Sequence, residues 1–227
     1  MSMTGKDLVA LHDLAPAEVE EIFRLTAELK QKVKDGVEHP LLKGKTLGMI
    51  FQKSSTRTRV SFEVGMYQLG GSALFLSAND LQMGRGEPIR DTARVLSRYL
   101  DGIMIRTFSQ KDVEELAEWS SIPVINGLTD SHHPCQVLAD LFTVREHRGS
   151  LKGLKLAFLG DGFNMANSLM EGGAKTGMHV VVATPPGYEP KPEIVEAAKA
   201  AAAETGGSVQ VCSDPREAAR DADVLVT

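Results

Sequence analysis

The chain has 227 residues, with 25 Lys and Arg against 30 Asp and Glu, a formal charge of −5. Its 42% hydrophobic and 24% charged content is that of a folded chain and excludes dominant disorder. The acidic balance argues against a general binder of nucleic acid or anionic membranes, and no apolar run reaches the roughly 18 residues of a membrane span.

In chain order, the apolar positions Val19, Ile22, Phe23, Leu29 and Val33 recur at helical spacing from Ala15 to Lys34, with Pro16 suited to a first turn and Gly36 to a stop. Thr46–Gln52 reads as a buried strand. Thr58–Leu69 reads as a helix with Val60, Val64 and Tyr67 on one face. A strand over Ser72–Leu76, a helix over Ile89–Leu100, a strand over Gly102–Thr107 and a helix over Lys111–Ser120 follow. Pro123–Leu128 is a strand and Pro134–Arg148 a helix. After Gly149-Ser150 the rhythm restarts with strands at Leu154–Leu159, Met178–Thr184, Val209–Cys212 and Asp223–Thr227. Helices separate them at Asn164–Thr176, Pro192–Thr205 and Pro215–Ala222. Alternation of apolar strands with helices predicts an α/β protein of two doubly wound parallel-sheet domains, 1–150 and 151–227. Because the last strand has nothing after it, the second domain is expected to be incomplete. Two cysteines, Cys135 and Cys212, are too few for a disulfide scaffold, and the first twenty residues hold no secretory apolar region. The expected compartment is the cytoplasm.

Ligands of such sheets bind outside the carboxyl ends of the strands, which directs attention to the loops there. Ser54-Ser55-Thr56-Arg57-Thr58-Arg59 follows the first strand and opens a helix. Four hydroxyls and two arginines in six residues exceed what capping needs. Helix-start N–H groups, hydroxyl donors and a guanidinium fork together suit a phosphate. This is not a Walker loop, because Gly-x-x-x-x-Gly-Lys is absent. Arg106 closes the Gly102–Thr107 strand. His133-Pro134-Cys135-Gln136 opens a helix, where the dipole favours a neutral imidazole and Gln136 can both donate and accept. A zinc site of His132, His133 and Cys135 is disfavoured, since the spacing fits no finger pattern. Gly160-Asp161-Gly162 resembles a dinucleotide fingerprint, but Met165 stands where the third glycine belongs and no acid closes the next strand. NAD is therefore not expected. The glycines of Asp80–Pro88 make a long loop of the kind that covers a site.

Taken together these residues resemble the aspartate/ornithine carbamoyltransferase family, and within it the ornithine branch. The resemblance rests on Ser55-Thr56-Arg57-Thr58-Arg59, Met83-Gly84-Arg85-Gly86-Glu87, Ile105-Arg106-Thr107, His133-Pro134-Cys135-Gln136 and Gly160-Asp161-Gly162 with Asn164, in order and over the whole chain. It implies transfer of a carbamoyl group from carbamoyl phosphate to the side-chain amine of L-ornithine, giving citrulline and phosphate. It also implies a homotrimer or a multiple of trimers, with no metal and no cofactor. By resemblance, Ser55, Thr56, Arg57, Thr58, Arg106, His133 and Gln136 hold carbamoyl phosphate, with Arg57, Arg106 and His133 catalytic. Gln82 reaches the same ligand from a neighbouring subunit, and Asn164 touches ornithine. The family pattern continues beyond Thr227 into segments that bind the second substrate. Carbamoyl transfer to aspartate, acetylornithine or putrescine, or binding without turnover, therefore stand as alternatives.

Overall fold

The computed structural model describes residues 3–227. Among them lie eight strands and eight α-helices: α1 (Pro16–Lys34), β1 (Thr46–Phe51), α2 (Thr56–Gln68), β2 (Ser72–Ser77), α3 (Ile89–Leu96), β3 (Gly102–Arg106), α4 (Gln110–Trp119), β4 (Val124–Leu128), α5 (Pro134–Arg148), β5 (Lys155–Leu159), α6 (Asn164–Thr176), β6 (His179–Ala183), α7 (Pro192–Thr205), β7 (Ser208–Cys212), α8 (Pro215–Ala219) and β8 (Val224–Val226). Two compact units result, one of residues 3–9 with 21–130 and one of residues 10–20 with 131–227.

In the first unit the strands are parallel in the order β2-β1-β3-β4. Alternation along β1 and β3 sends Ile50, Ile103 and Ile105 to a core with Val113 and Leu116 of α4 and Ala93 of α3. Met49, Phe51 and Met104 go to the opposite face, with Met66 of α2. Each such fully buried side chain contributes about 1.5–3 kcal/mol of apolar burial. Leu8 adds a bridge to Ile125, so residues before α1 extend the β4 edge.

α2 turns the stripe of Val60, Val64 and Tyr67 outward. Its inward residues are Phe62 and Met66, one turn apart, while Val60, Val64 and Tyr67 are 50%, 45% and 81% exposed. The same spacing that aligns Val60, Val64 and Tyr67 places them on the side away from β1.

The second unit repeats the scheme with parallel order β7-β6-β5-β8. Ala157, Val181 and Ala183 face α8 through Ala218. α6 packs tightly on the other face: a Cβ at Gly173 would collide with Val180. Its neighbour Gly172 approaches Val137 and Leu141 of α5, at 2.8 and 2.9 Å from where a Cβ would stand.

Strand order reverses between β1 and β3 in the first unit and between β5 and β8 in the second. At such switch points the flanking loops diverge to opposite faces and leave a crevice at the carboxyl ends.

Candidate anion and carbonyl site

The first unit places Ser54–Arg59 and Arg106 on the two sides of its switch point, after β1 and at the end of β3. α2 begins two residues earlier than its apolar pattern indicates, because Ser55 is the cap. Ser55 is extended (φ −160°, ψ 118°) and its Oγ accepts from Thr58 N at 3.3 Å. That hydroxyl also donates to Thr58 Oγ1 at 3.1 Å, and Arg106 Nη1 donates to the same oxygen at 3.4 Å. Ser55, Thr58 and Arg106 therefore form one hydrogen-bonded chain, with Thr56 and Arg57 exposed in the first turn of α2.

The aim of Arg106 has a local cause. Pairing between β3 and β4 slips at Ile105/Arg106, so that Ile105 opposes Asn126 while Arg106 opposes Leu128. Such an irregularity re-aims the side chain beside it. Below it Thr107, fully buried, donates to Gln52 Oε1 at 2.7 Å and ties the ends of β1 and β3 together.

Electrostatically this region is unfinished. Burial, and then the charge of Arg57, push the Arg106 guanidinium below its ordinary value. Among the described residues neither arginine is ion-paired with a carboxylate, and Arg106 Nε is buried without a hydrogen-bond partner. Nearby Lys53 is neutralised by Asp130 at 2.6 Å and Arg59 by Glu63 at 2.9 Å. The two guanidiniums left over, beside a helix N-terminus, have the charge and the donors that suit a compact anion.

Gln82 begins a short 3₁₀ turn, Gln82–Arg85, with an exposed side chain. Leu81 and Met83 on either side pack on the core, which turns Gln82 outward.

In the second unit, His133 is the residue before Pro134, the first of α5. Its backbone N–H donates to Ser168 Oγ of α6 at 2.8 Å, and Asn167 Nδ2 donates to Ser131 O at 3.0 Å. These two buried polar residues of α6 thus hold the 131–133 segment. Gln136 is exposed one turn along, donating to Asp140 Oδ1 at 2.8 Å. Burial raises the Asp140 carboxyl, and the Gln136 bond opposes the shift. Cys135 is a thiol pushed up to about 12 by burial. Asn164 starts α6 and its Oδ1 accepts from Met165 N at 2.8 Å. The preceding turn needs glycine: a Cβ at Gly162 would run into the Pro190 backbone, and Gly162 N donates to Tyr188 O at 2.7 Å.

One cluster escaped the linear reading. His12, His132 and Glu171 converge, with Glu171 Oε1 accepting from His12 Nδ1 at 2.9 Å and from His132 Nε2 at 3.1 Å. Their separations of 159 and 39 residues leave no local signal.

Family profiles match nearly the whole chain. Residues 6–146 match the aspartate/ornithine carbamoyltransferase carbamoyl-P binding domain, and residues 152–227 the Asp/Orn binding domain. The chain belongs to the aspartate/ornithine carbamoyltransferase family. Among curated relatives, the ornithine carbamoyltransferase of Symbiobacterium thermophilum is 59% identical over 226 residues, covering 100% of this chain and 73% of the relative. That of Syntrophotalea carbinolica is 61% identical over 222 residues, covering 98% and 72%. The solved structure of ornithine carbamoyltransferase from Pyrococcus furiosus superposes with a TM-score of 0.97 at 54% identity, covering 99% of this chain and 72% of that one. Among carbamoyltransferases of this family the first profile is the carbamoyl-phosphate module, and it spans both arginines and the 133–136 segment.

Proposed function

We propose that this protein transfers the carbamoyl group of carbamoyl phosphate to the side-chain amine of L-ornithine, yielding L-citrulline and phosphate. The observation that carries the reading is the uncompensated pair Arg57 and Arg106 beside the hydroxyl-lined start of α2. Similarity to relatives named for ornithine supports the choice of amine.

In this reading residues 1–150 bind carbamoyl phosphate and residues 151–227 bind ornithine. Carbamoyl phosphate is a mixed anhydride. Attack of a neutral amine on its carbamoyl carbon builds charge on the carbonyl oxygen, and the C–O bond to phosphate then breaks. Ser55, Thr56, Thr58 and Arg57 receive the phosphate oxygens, where the helix-start N–H groups add their dipole. Arg106 and His133 donate to the carbonyl oxygen; each fixed donor at a developing oxyanion is worth about 3 kcal/mol. Gln136 pairs with the carbamoyl nitrogen, its amide being able to accept as well as donate. Gln82 reaches the phosphate of a neighbouring subunit, and Asn164 receives the α-amino-acid end of ornithine. The amine of ornithine, a lysine-like group with an ordinary pKa of about 10.4, must lose its proton, a task none of these residues performs.

A homotrimer fits the exposed apolar residues of α2 and the β2 edge, Val60, Val64, Tyr67, Leu74 and Phe75, which copies of the chain would cover. A cytoplasmic place in arginine metabolism is part of the same reading. Calorimetry with carbamoyl phosphate, then citrulline formation against a panel of ornithine, aspartate, acetylornithine and putrescine, tests the proposal. Absence of carbamoyl phosphate binding refutes it, and turnover of another amine alone corrects the second substrate.

A further inference from the structure

Outside the anion site, the cluster of His12, His132 and Glu171 has the composition and convergence of a metal centre. One potential ligand atom from each lies within 4.8 Å of the others. We propose that these three side chains form a binding site for a divalent ion of the zinc class, with the fourth position open to water.

The donor set is two imidazoles and one carboxylate, which suits zinc among the common divalent ions. Zn–N bonds of 2.0–2.1 Å in a tetrahedron require ligand separations of about 3.4 Å. The separations from Glu171 Oε1 are 2.9 and 3.1 Å, now bridged by imidazole protons, and no two of the three ligand atoms are more than 4.8 Å apart, so modest side-chain shifts bring all three to that spacing. The imidazole rings of His12 and His132 are close neighbours, meeting edge to face with 5.7 Å between centroids at 64°.

Two further observations point to a ligand. Glu171 has a side chain only 6% exposed, and its second oxygen, Oε2, is buried with no hydrogen-bond partner. A carboxylate held so deep and half-satisfied has a spare donor position for a cation. Moreover, Nε2 of His12 lies 3.4 Å from Asp13 Oδ1, so the nitrogen opposite the proposed ligand atom already faces a carboxylate. That arrangement fixes the tautomer and raises the basicity of metal-bound imidazoles.

Access is provided. The His12 side chain is 57% exposed while His132 is 8% exposed, and a cavity of about 220 Å³ opens against all three residues. Glu193 and alanines of α7 line it together with Lys175. The Lys175 Nζ is occupied by the His12 carbonyl oxygen at 3.2 Å. Its single charge is outnumbered by Glu171, Asp13 and Glu193. The ion would join three segments of the second unit, namely the turn before α1, the approach to α5 and the middle of α6.

The test is titration of the purified protein with Zn²⁺ by calorimetry, and with Co²⁺ followed by its visible tetrahedral absorption. One equivalent per chain is expected. His12→Gln, at the exposed ligand, retains the fold and loses the Co²⁺ band; Glu171→Gln loses it as well. Asp13→Asn weakens binding about 10-fold, as loss of an outer partner does. Cys212→Ser leaves the titration unchanged. Absence of stoichiometric uptake, a Co²⁺ spectrum indifferent to His12→Gln, or loss of binding in Cys212→Ser each overturns the proposal.

Discussion

Arg106 Nη1 donates to Thr58 Oγ1 at 3.4 Å, so the guanidinium at the end of β3 is steadied by a hydroxyl of the helix turn that bears Arg57. A single threonine thereby links the two positive groups of the candidate site. Thr58→Val keeps the shape and removes both the acceptor for Arg106 and the hydroxyl proposed to reach the phosphate. Hydrogen bonds to charged groups contribute about 1.5–3 kcal/mol, so carbamoyl phosphate affinity should fall about tenfold or more. Calorimetry measures it, and unchanged affinity would show that Arg106 needs no such anchor.

Arg57→Ala and Arg106→Ala should each abolish measurable carbamoyl phosphate binding while leaving thermal stability near that of the parent. Relief of the Arg57–Arg106 repulsion offsets part of the packing lost with either side chain. Arg57→Lys should not restore binding, because an ammonium cannot grip two oxygens as a planar fork does.

Ser55 serves both as a cap and, in the proposed function, as a phosphate ligand, and the two roles separate. Ser55→Ala loses a cap worth about 1 kcal/mol, which lowers Tm by about 2–4 °C in a domain of this size. Ser55→Asp caps equally well but sets a negative charge against the incoming anion. Its Tm should match the parent while carbamoyl phosphate binding disappears in calorimetry.

Much of this was legible from residue order, and where it was not the reasons are physical. Pro134 and Pro192 fixed the starts of α5 and α7, since proline at a first helical position marks itself. α3 stops at Leu96 rather than Leu100, because the next turn tightens to bonds three residues apart, Arg98 N to Val95 O and Tyr99 N to Leu96 O. α8 stops at Ala219 rather than Ala222, where Asp221 takes a left-handed conformation (φ 55°). The hydroxyls and arginines of Ser54–Arg59 stood out as a candidate anion site because they are contiguous. Spacing alone did not tell which face of α2 turns inward, because Val60, Val64 and Tyr67 share a helical stripe as regular as that of Phe62 and Met66. The cluster of His12, His132 and Glu171 was invisible, because its members meet only through tertiary folding.

Cys135 should be inert. With the thiol pushed up to about 12, its thiolate fraction at pH 8 is roughly one in ten thousand, and the thiolate is the nucleophile. Iodoacetamide at pH 8 should therefore modify the native protein at Cys212 alone, as peptide mass mapping would show. Raising the pH toward 12 should bring Cys135 into reaction. Adducts on Cys135 at pH 8 would mean that its surroundings are wetter than the fold indicates.

Gly162→Ala should destabilise the second unit, since the added methyl meets backbone of Pro190 and Glu189 rather than a movable side-chain tip. Overpacking of this kind costs about 1–3 kcal/mol. A lower Tm checks it, and an unchanged Tm would mean that the 188–190 turn yields freely.

The stretch Ala10–Glu20 belongs to the second unit although more than a hundred residues separate it from Ser131. Leu11 and Leu14 are buried, Leu11 reaches Gly172, and Glu20 pairs with Arg145 at 2.6 Å. A recombinant piece starting at Ser131 would consequently expose a greasy notch along α6 and be prone to precipitate. Supplying the missing eleven-residue peptide in trans ought to render it tractable, so this portion of the fold lends itself to a split-protein complementation assay.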